Sequence, residues 1–306
     1  MKLFQGLEGP AAYRGGFVAI GNFDGVHRGH QSMISVLVQR AREAQVPAVV
    51  FTFAPHPIEL LKPGQTPPSL STVQWKAELL GKCGIDCTIA YRTDQALLNL
   101  TPEQFFGQII RDELDARGLV EGPNFFFGRN RTGNIATLET LCDASGLKLE
   151  IVPPVKVGER LVSSSAIRRL IGEGKISEAI ELLGHSYRIQ GTVIRGAARG
   201  RTIGFPTANL ERVSTLLPCD GVYAGLAHSD NHSYPAAVNL GPNPTFGEQQ
   251  RKLEVHLLDF SGDLYGRQLD VDFLKRIRDT SQFANVDDLQ SQLERDVDTV
   301  RMLVTN

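Results

Sequence analysis

Cysteine is scarce in this chain, with 4 in 306 residues, tryptophan occurs once, and no apolar run approaches the length of a bilayer-crossing helix. Each shortage excludes something. A chain of this length with only Cys83, Cys87, Cys142 and Cys219 does not depend on a disulfide framework. Cys83 and Cys87 are the only close pair and have no second ligand pair nearby, so they read as small buried hydrophobes rather than zinc ligands. Residues 1–10 carry Glu8 and glycines where a secretory signal needs an apolar core, which gives the expectation of a cytoplasmic chain without a membrane partner. A net charge of −2 argues against a general nucleic-acid binder. No Gly-x-x-x-x-Gly-Lys-Ser/Thr run occurs, so P-loop kinase chemistry is excluded. Low-complexity tracts and internal repeats are also missing.

What is present suffices for two cores. The length exceeds the size at which one core keeps growing, and 42% hydrophobic with 22% charged residues is a compact globular composition.

The most informative segment is residues 21–30: Gly21, Asn22, Phe23, Asp24, Gly25, Val26, His27, Arg28, Gly29 and His30. An apolar run precedes it. Met33, Ile34, Leu37, Val38, Ala41 and Ala44 follow at helical spacing, which predicts a helix over 31–45. Ala48 to Phe53 then reads as a strand, so the order is strand, glycine turn, helix, strand, as in a right-handed parallel crossover. Two histidines opening a helix bring ring N–H donors and unpaired backbone N–H groups onto one anion, most often a nucleotide triphosphate. The bland reading makes the glycines turn-formers and the histidines surface polar groups, which Asn22 and Asp24 in the same turn render a poor account.

Further strand and helix patterns continue to about residue 183 and predict a doubly wound α/β domain. Thr101, Pro102 and Gln104 have the N-cap, first-turn and capping-box chemistry of a helix start, followed by Phe105, Phe106, Ile109, Ile110 and Leu114. His56 lies between Pro55 and Pro57, which hold the backbone extended and fix the imidazole; an incidental proline turn is the alternative. In the loop 122–134, Asn124 is followed by Phe125, Phe126, Phe127, Gly128, Arg129 and Arg131, faces for a planar ring beside cations for phosphate. Those phenylalanines are equally suited to a buried core. Ser163, Ser164 and Ser165 lead into a helix bearing Arg168, a second anion site or simply a cap.

Residues 187–275 give short strand-like pieces broken by Gly and Pro, near 187–194, 221–227, 234–239, 253–260 and 268–273. That is an all-β module. Leu289, Leu293, Val297 and Val300 at helical spacing close the chain with one helix over 287–303.

Taken in order, residues 21–30, Pro55-His56-Pro57, Asn124 with Phe125 and Phe127-Gly128, and residues 163–168 resemble the adenylyltransferase module of the bacterial bifunctional riboflavin kinase/FMN adenylyltransferase (FAD synthetase) family. Gly196, Gly200-Arg201, Gly204-Phe205 and Pro206-Thr207-Ala208-Asn209 look like its flavokinase signature, and residues 218–223, 239–246 and 254–256 follow as the family's do. The resemblance covers essentially the whole chain. It implies a Rossmann-like nucleotidyltransferase domain over 1–183 and a small antiparallel β-barrel with a C-terminal helix over 186–306. It also implies riboflavin, FMN and ATP as small-molecule substrates, Mg²⁺ as cofactor, and Asn239 and Arg278 as substrate-binding residues. Ser165 stands where the family more often has threonine, and Arg195 where histidine is frequent; neither removes a required group.

The resemblance makes Glu254 the base that activates riboflavin's primary alcohol, a poor nucleophile at neutral pH, toward the γ-phosphate. Alternation places Glu254 and His256 on one strand face and Leu253 and Val255 on the other. Thr207 and Asn209 share a face if extended and offer oxygens suited to Mg²⁺, while Gly196, Gly200 and Gly204 let the backbone approach ATP near Arg201. FMN's phosphate is already mostly a dianion and needs no base. His27 and His30 then donate to ATP phosphates, and Ser163, Ser164 and Arg168 hold the pyrophosphate end. An enzyme with one live module would have lost Glu254, Thr207 or the histidine pair, and a flavin-storage protein would need neither base nor metal ligands.

Overall fold

The computed structural model describes every residue except Glu8, Ala197, Ala198, Asn231, Pro244, Phe246, Gly247 and Asn306. Part of the expected 239–246 segment, including Phe246, therefore lies outside the described residues. The chain divides into two compact units, one made of Met1–Pro67 with Val73–Ser163 and the other of Pro68–Thr72 with Ser164–Asn306.

The first unit is built on a six-stranded parallel sheet of β1 (Lys2–Phe4), β2 (Phe17–Ile20), β3 (Ala48–Phe53), β4 (Cys87–Tyr91), β5 (Gly118–Glu121) and β6 (Lys148–Ile151), in the order β1-β4-β3-β2-β5-β6. All four residues of β2 and the first five of β3 are buried, as a sheet covered on both faces requires. Two cores result. One gathers Val18, Ile20, Val49, Phe51, Ile89, Phe105, Ile110 and Leu119; the other packs Phe17, Ala19, Phe23, Ile34, Leu37, Val50 and Leu80. The covering helices are α1 (Arg28–Glu43), α2 (Pro57–Leu61), α3 (Val73–Lys82), α4 (Gln95–Asn99), α5 (Pro102–Phe105) and α6 (Ile135–Ser145). A short antiparallel pair, β7 (Lys156–Val157) with β8 (Arg160–Leu161), follows.

At α5 the expected capping box is complete: Gln104 N–H donates to Thr101 Oγ1 at 3.2 Å and Thr101 N–H to Gln104 Oε1 at 2.9 Å. The chain then passes into a π-helical stretch, Phe106–Glu113, which buries Phe106, Ile109 and Ile110. The four cysteines are free thiols, Cys87 and Cys142 buried.

In the second unit, α7 (Ser164–Gly172) and α8 (Ile176–Leu183) precede a closed antiparallel barrel. The contacts thus group residues 164–183 with the barrel. Its strands are β9 (Tyr187–Ile194), β10 (Ala208–Glu211), β11 (Gly221–Ser229), β12 (His232–Asn243), β13 (Glu248–Leu257) and β14 (Gln268–Arg278), ordered β10-β13-β12-β11-β14-β9. A four-residue turn, α9 (Arg199–Thr202), lies between β9 and β10. Strand β9 alternates buried and half-buried residues along its whole length, the period of a barrel wall. Helix α10 (Val286–Thr305) lies on the outer face, where Val300 packs with Ala224 and Leu258. Among the described residues no helix is long and apolar enough to cross a membrane.

Candidate active sites

In the first unit the strand order reverses between β2 and β5, so their C-terminal ends form the crevice where ligands of such sheets sit. The two strands pair only through Phe17 with Gly118 and Val18 with Leu119. Beyond that the ladder is replaced by a side chain: Ile20 N–H donates to Glu121 Oε1 at 2.8 Å. Burial pushes the Glu121 carboxyl well above the usual carboxylate range, with the Ile20 bond opposing.

The glycine turn grows directly from β2. Gly21 N–H donates to Phe51 O at 3.0 Å, and the Asn22 carbonyl accepts from Thr52 Oγ1 at 3.1 Å and from Lys76 Nζ at 2.6 Å. Two side-chain-bearing residues are in the left-handed region, Phe23 at φ 46° and Val26 at φ 37°. Helix α1 begins at Arg28 because His27 caps it, its Nδ1 accepting from His30 N–H at 3.3 Å. That bond uses one of the backbone donors expected to face an anion, and it puts the His27 proton on Nε2, which is thereby a donor. The two rings stack with centroids 3.6 Å apart, and Phe23 lies 5.1 Å from His30. Burial, with help from His27 and Lys76, drives the His30 pKa well below its ordinary value, so His30 is neutral at pH 7. Gly29 permits the stack: a Cβ there would lie 3.2 Å from the His27 ring and 3.9 Å from Val162 O, which puts the chain leading to Ser163 beside this turn. Asn22 Oδ1 and His30 Nδ1 are buried without a hydrogen-bond partner among the described residues.

Next to the turn is an apolar cleft of about 310 Å³. Gly21, Asn22, His56, Asn124, Phe127 and Arg131 contribute to its walls; the imidazoles of the turn do not. His56 caps α2 by accepting from Ile58 N–H at 3.1 Å. The bland reading of the aromatics holds for Phe127, which belongs to the core and stacks on Phe125 at 5.4 Å. Phe126 is 46% exposed with Arg131 over its ring. Arg129, expected at the site, is exposed and is not a cleft residue; Arg131 is. Ser163 ends the first unit, whereas Ser164 and Arg168 belong to α7 of the second, where Arg168 Nε donates to Pro68 O.

The second site lies between the outer barrel face and α10. Asn209 of β10 pairs with Glu254 of β13, which pairs with Asn239 of β12, so three polar side chains share one face. Leu253 and Val255 are buried on the opposite side, as alternation predicts. Glu254 Oε2 accepts from Asn243 Nδ2 at 2.9 Å, and Asn243 Oδ1 accepts from Asn239 Nδ2 at 3.2 Å. Two residues on, His256 Nδ1 donates to Pro206 O at 2.7 Å, tying β13 to the segment that carries Thr207. Thr207, Asn239, Asn243, Glu254 and His256 line a cavity of about 140 Å³ whose far wall is Leu289, Leu293 and Val297 of α10.

The glycines of this segment do different work. Crowding at Gly196 and Gly200 comes from the chain itself, since a Cβ would lie 2.3 Å from Asn209 Nδ2 at the first and 2.2 Å from Phe205 O at the second. Gly204 is required conformationally, at φ 87°. Arg201 is exposed and does not line the cavity; Arg199 does. Arg278 is a wall residue, but its charge is matched by Asp296 of α10, 2% exposed, which accepts from Nε at 3.0 Å and from Nη2 at 2.8 Å. The sequence marks Asp296 as a charge on the apolar stripe of Leu289, Leu293 and Val300, and a charge there requires a partner.

Among the described residues no group of three or more His, Cys, Asp or Glu could hold a metal ion. Thr207 and Asn209 instead offer a hydroxyl and an amide oxygen beside the Glu254 carboxylate, a hard-oxygen set that fits Mg²⁺, an ion that keeps several waters and shares substrate phosphates.

Comparison with known proteins follows the same division. A family model described as FAD synthetase matches residues 10–166, and one described as riboflavin kinase matches residues 183–304. The chain is 36% identical over 307 residues to the bifunctional riboflavin kinase/FMN adenylyltransferase of Escherichia coli (strain K12), covering 98% of this chain and 97% of that one. It is 35% identical over 284 residues to the Bacillus subtilis (strain 168) protein of the same name, covering 91% and 89%. A solved structure titled as a macrolide-efflux protein from Streptococcus pneumoniae superposes with a TM-score of 0.87 at 32% identity, covering 98% of both chains. The chain belongs to the bifunctional riboflavin kinase/FMN adenylyltransferase family.

Proposed function

We propose that this chain phosphorylates riboflavin to FMN in the barrel cavity and adenylylates FMN to FAD at the sheet edge of the first unit, using one ATP in each step. The observation that carries the kinase assignment is the row Asn209, Glu254, Asn239 across three strands, of which Glu254 and Asn239 line one cavity with Thr207 and His256 while Asn209 does not. Glu254 takes the proton of the ribityl hydroxyl as its oxygen attacks the γ-phosphorus, and ADP leaves. Asn243 holds the carboxylate oxygen that would otherwise rotate, and His256 fixes the Thr207 segment through Pro206. Thr207 and Asn209 would hold Mg²⁺, which when bound neutralises phosphate charge. Pro206, Gly196, Gly200 and Gly204 shape the loop that ATP meets.

In the second step an FMN phosphate oxygen attacks the α-phosphorus of ATP and pyrophosphate departs, with no protein base required. The residues' task is to stabilise charge. His27 Nε2 and a neutral His30 act as donors at the mouth of α1, with Ser163 nearby, and a neutral His30 does this without the desolvation penalty of a buried cation. Gly21, Asn22, His56 and the loop of Asn124 and Phe127 supply the adjoining cleft for a flavin or adenine ring.

The test is one incubation of purified protein with riboflavin, ATP and Mg²⁺, resolving FMN and FAD by chromatography. Successive appearance of FMN and then FAD is expected. FMN alone would remove the adenylyl-transfer assignment, and neither product would remove both.

A further inference from the structure

Lys76 is 7% exposed, on α3, and among the described residues its Nζ has only neutral oxygens within reach, Asn22 O at 2.6 Å and Thr52 Oγ1 at 3.4 Å. A buried lysine without an ion pair is costly and calls for a reason. Its first partner is informative. The Asn22 carbonyl belongs to the peptide that enters Phe23, whose φ of 46° is one of the two left-handed positions in the turn. Such a backbone persists only where surrounding bonds over-determine it. Thr52 Oγ1 and Lys76 Nζ both bond that one carbonyl, from β3 and from α3, so the peptide is held from two elements at once.

The turn that Nζ holds and the helix it opens carry two buried atoms that have no partner among the described residues, Asn22 Oδ1 and His30 Nδ1. The titratable groups bearing on His30 are His27 stacked on it from α1 and Lys76 from α3; Asp24 in the turn opposes the loss of charge on Lys76 that burial drives. No sequence motif drew attention to Lys76, and no step of the proposed mechanism uses it.

We propose that Lys76 is a positioning residue of the adenylyl-transfer site, whose buried ammonium locks the Asn22–Phe23 peptide of the phosphate turn and places positive charge behind the His27–His30 pair. This rests on the reading of that turn as the ATP site. Lys76 acts through the turn and not by contact with the reacting atoms. Holding the turn sets the orphaned His30 nitrogen for an incoming phosphate, and the Lys76 charge adds to the burial that keeps His30 neutral, so that the ring is a donor and not a second buried cation.

The test compares Lys76→Met, which keeps the stem and loses the charge and donor, with Lys76→Gln, which keeps a donor without the charge. Emission of Trp75, the only tryptophan and the neighbour of Lys76, reports whether the first unit has folded. FMN formation by the same molecules is the control for the barrel. Expected for Lys76→Met is a loss in kcat for FAD formation of about 10²-fold with a much smaller change in KM for ATP. Its acid limb should move to higher pH, because His30 loses a repelling neighbour. Lys76→Gln should recover part of kcat but keep the displaced acid limb, and it carries the test by the same readouts if the Met variant does not fold. Unchanged kcat and an unmoved acid limb in a folded variant would overturn the proposal. If His30→Ala also leaves FAD formation intact, the reading of the turn itself fails; if His30→Ala abolishes it while the Lys76 variants are silent, only the role of Lys76 does.

Discussion

Ile20 and Glu121 are joined by a single bond, backbone N–H to carboxyl at 2.8 Å, at the place where β2 and β5 stop pairing with each other. A side chain takes over from the ladder, and the strand ends border the crevice beside the turn of residues 21–27. The carboxyl doing this is 2% exposed, and burial pushes its pKa well above the usual carboxylate range.

That buried acid sets a pH dependence. The native state holds a proton that the unfolded chain releases above the ordinary glutamate pKa. Stability therefore falls as pH rises past that point, by about 1.4 kcal/mol per pH unit at most, until the raised native pKa is passed. Glu121→Gln keeps the accepting oxygen and removes the proton linkage. Chemical denaturation at about pH 5 and about pH 8 should show the variant gaining on the parent as pH rises. A gap that stays constant would contradict a buried neutral carboxyl.

Asn243 holds the Glu254 carboxylate at 2.9 Å and is itself held by Asn239. Asn243→Ala leaves the carboxylate to reorient, and a bond to a charged group is worth about 1.5–3 kcal/mol. FMN formation should slow by about tenfold or more, while FAD formation from supplied FMN is unaffected. Steady-state kinetics on the two reactions separately will show it.

Arg278 and Asp296 form an ion pair on the cavity wall whose acid is 2% exposed. Removing the acid in Asp296→Ala strands a guanidinium that is 21% exposed. Breaking a buried pair from one side costs about 3–5 kcal/mol, and partial exposure of Arg278 reduces this to about 2 kcal/mol. Urea unfolding should register that loss, and KM for riboflavin or ATP should rise as α10 loses its anchor. An unchanged midpoint would mean that the apolar contacts of α10 suffice alone.

Much of this arrangement is legible before any coordinates, and the exceptions have physical causes. The capping box at Thr101 and the alternation of Leu253, Glu254, Val255 and His256 are local rules, and the structure follows them. Helix α1 starts at Arg28, three residues before the start at 31 that its sequence pattern predicts, because the cap is an imidazole and not one of the usual capping side chains. Barrel strands β12 and β14 run well past their apolar alternation, carried by pairing with neighbours whose register no local pattern encodes. Position along a loop also misleads: Arg131 and Arg199 line the cavities, while Arg129 and Arg201, equally basic and two residues away, do not. Glu121 and Lys76 look like ordinary charged residues in the sequence. Only burial distinguishes them, and burial is a property of the packed sheet.

The most direct measurement is a crossed pair of variants assayed on both reactions. His27→Ala should abolish FAD formation from FMN and leave FMN formation from riboflavin at the parent rate; Glu254→Ala should do the reverse. Loss of both activities in either variant, or retention of both, would contradict two chemically separate ATP sites on one chain.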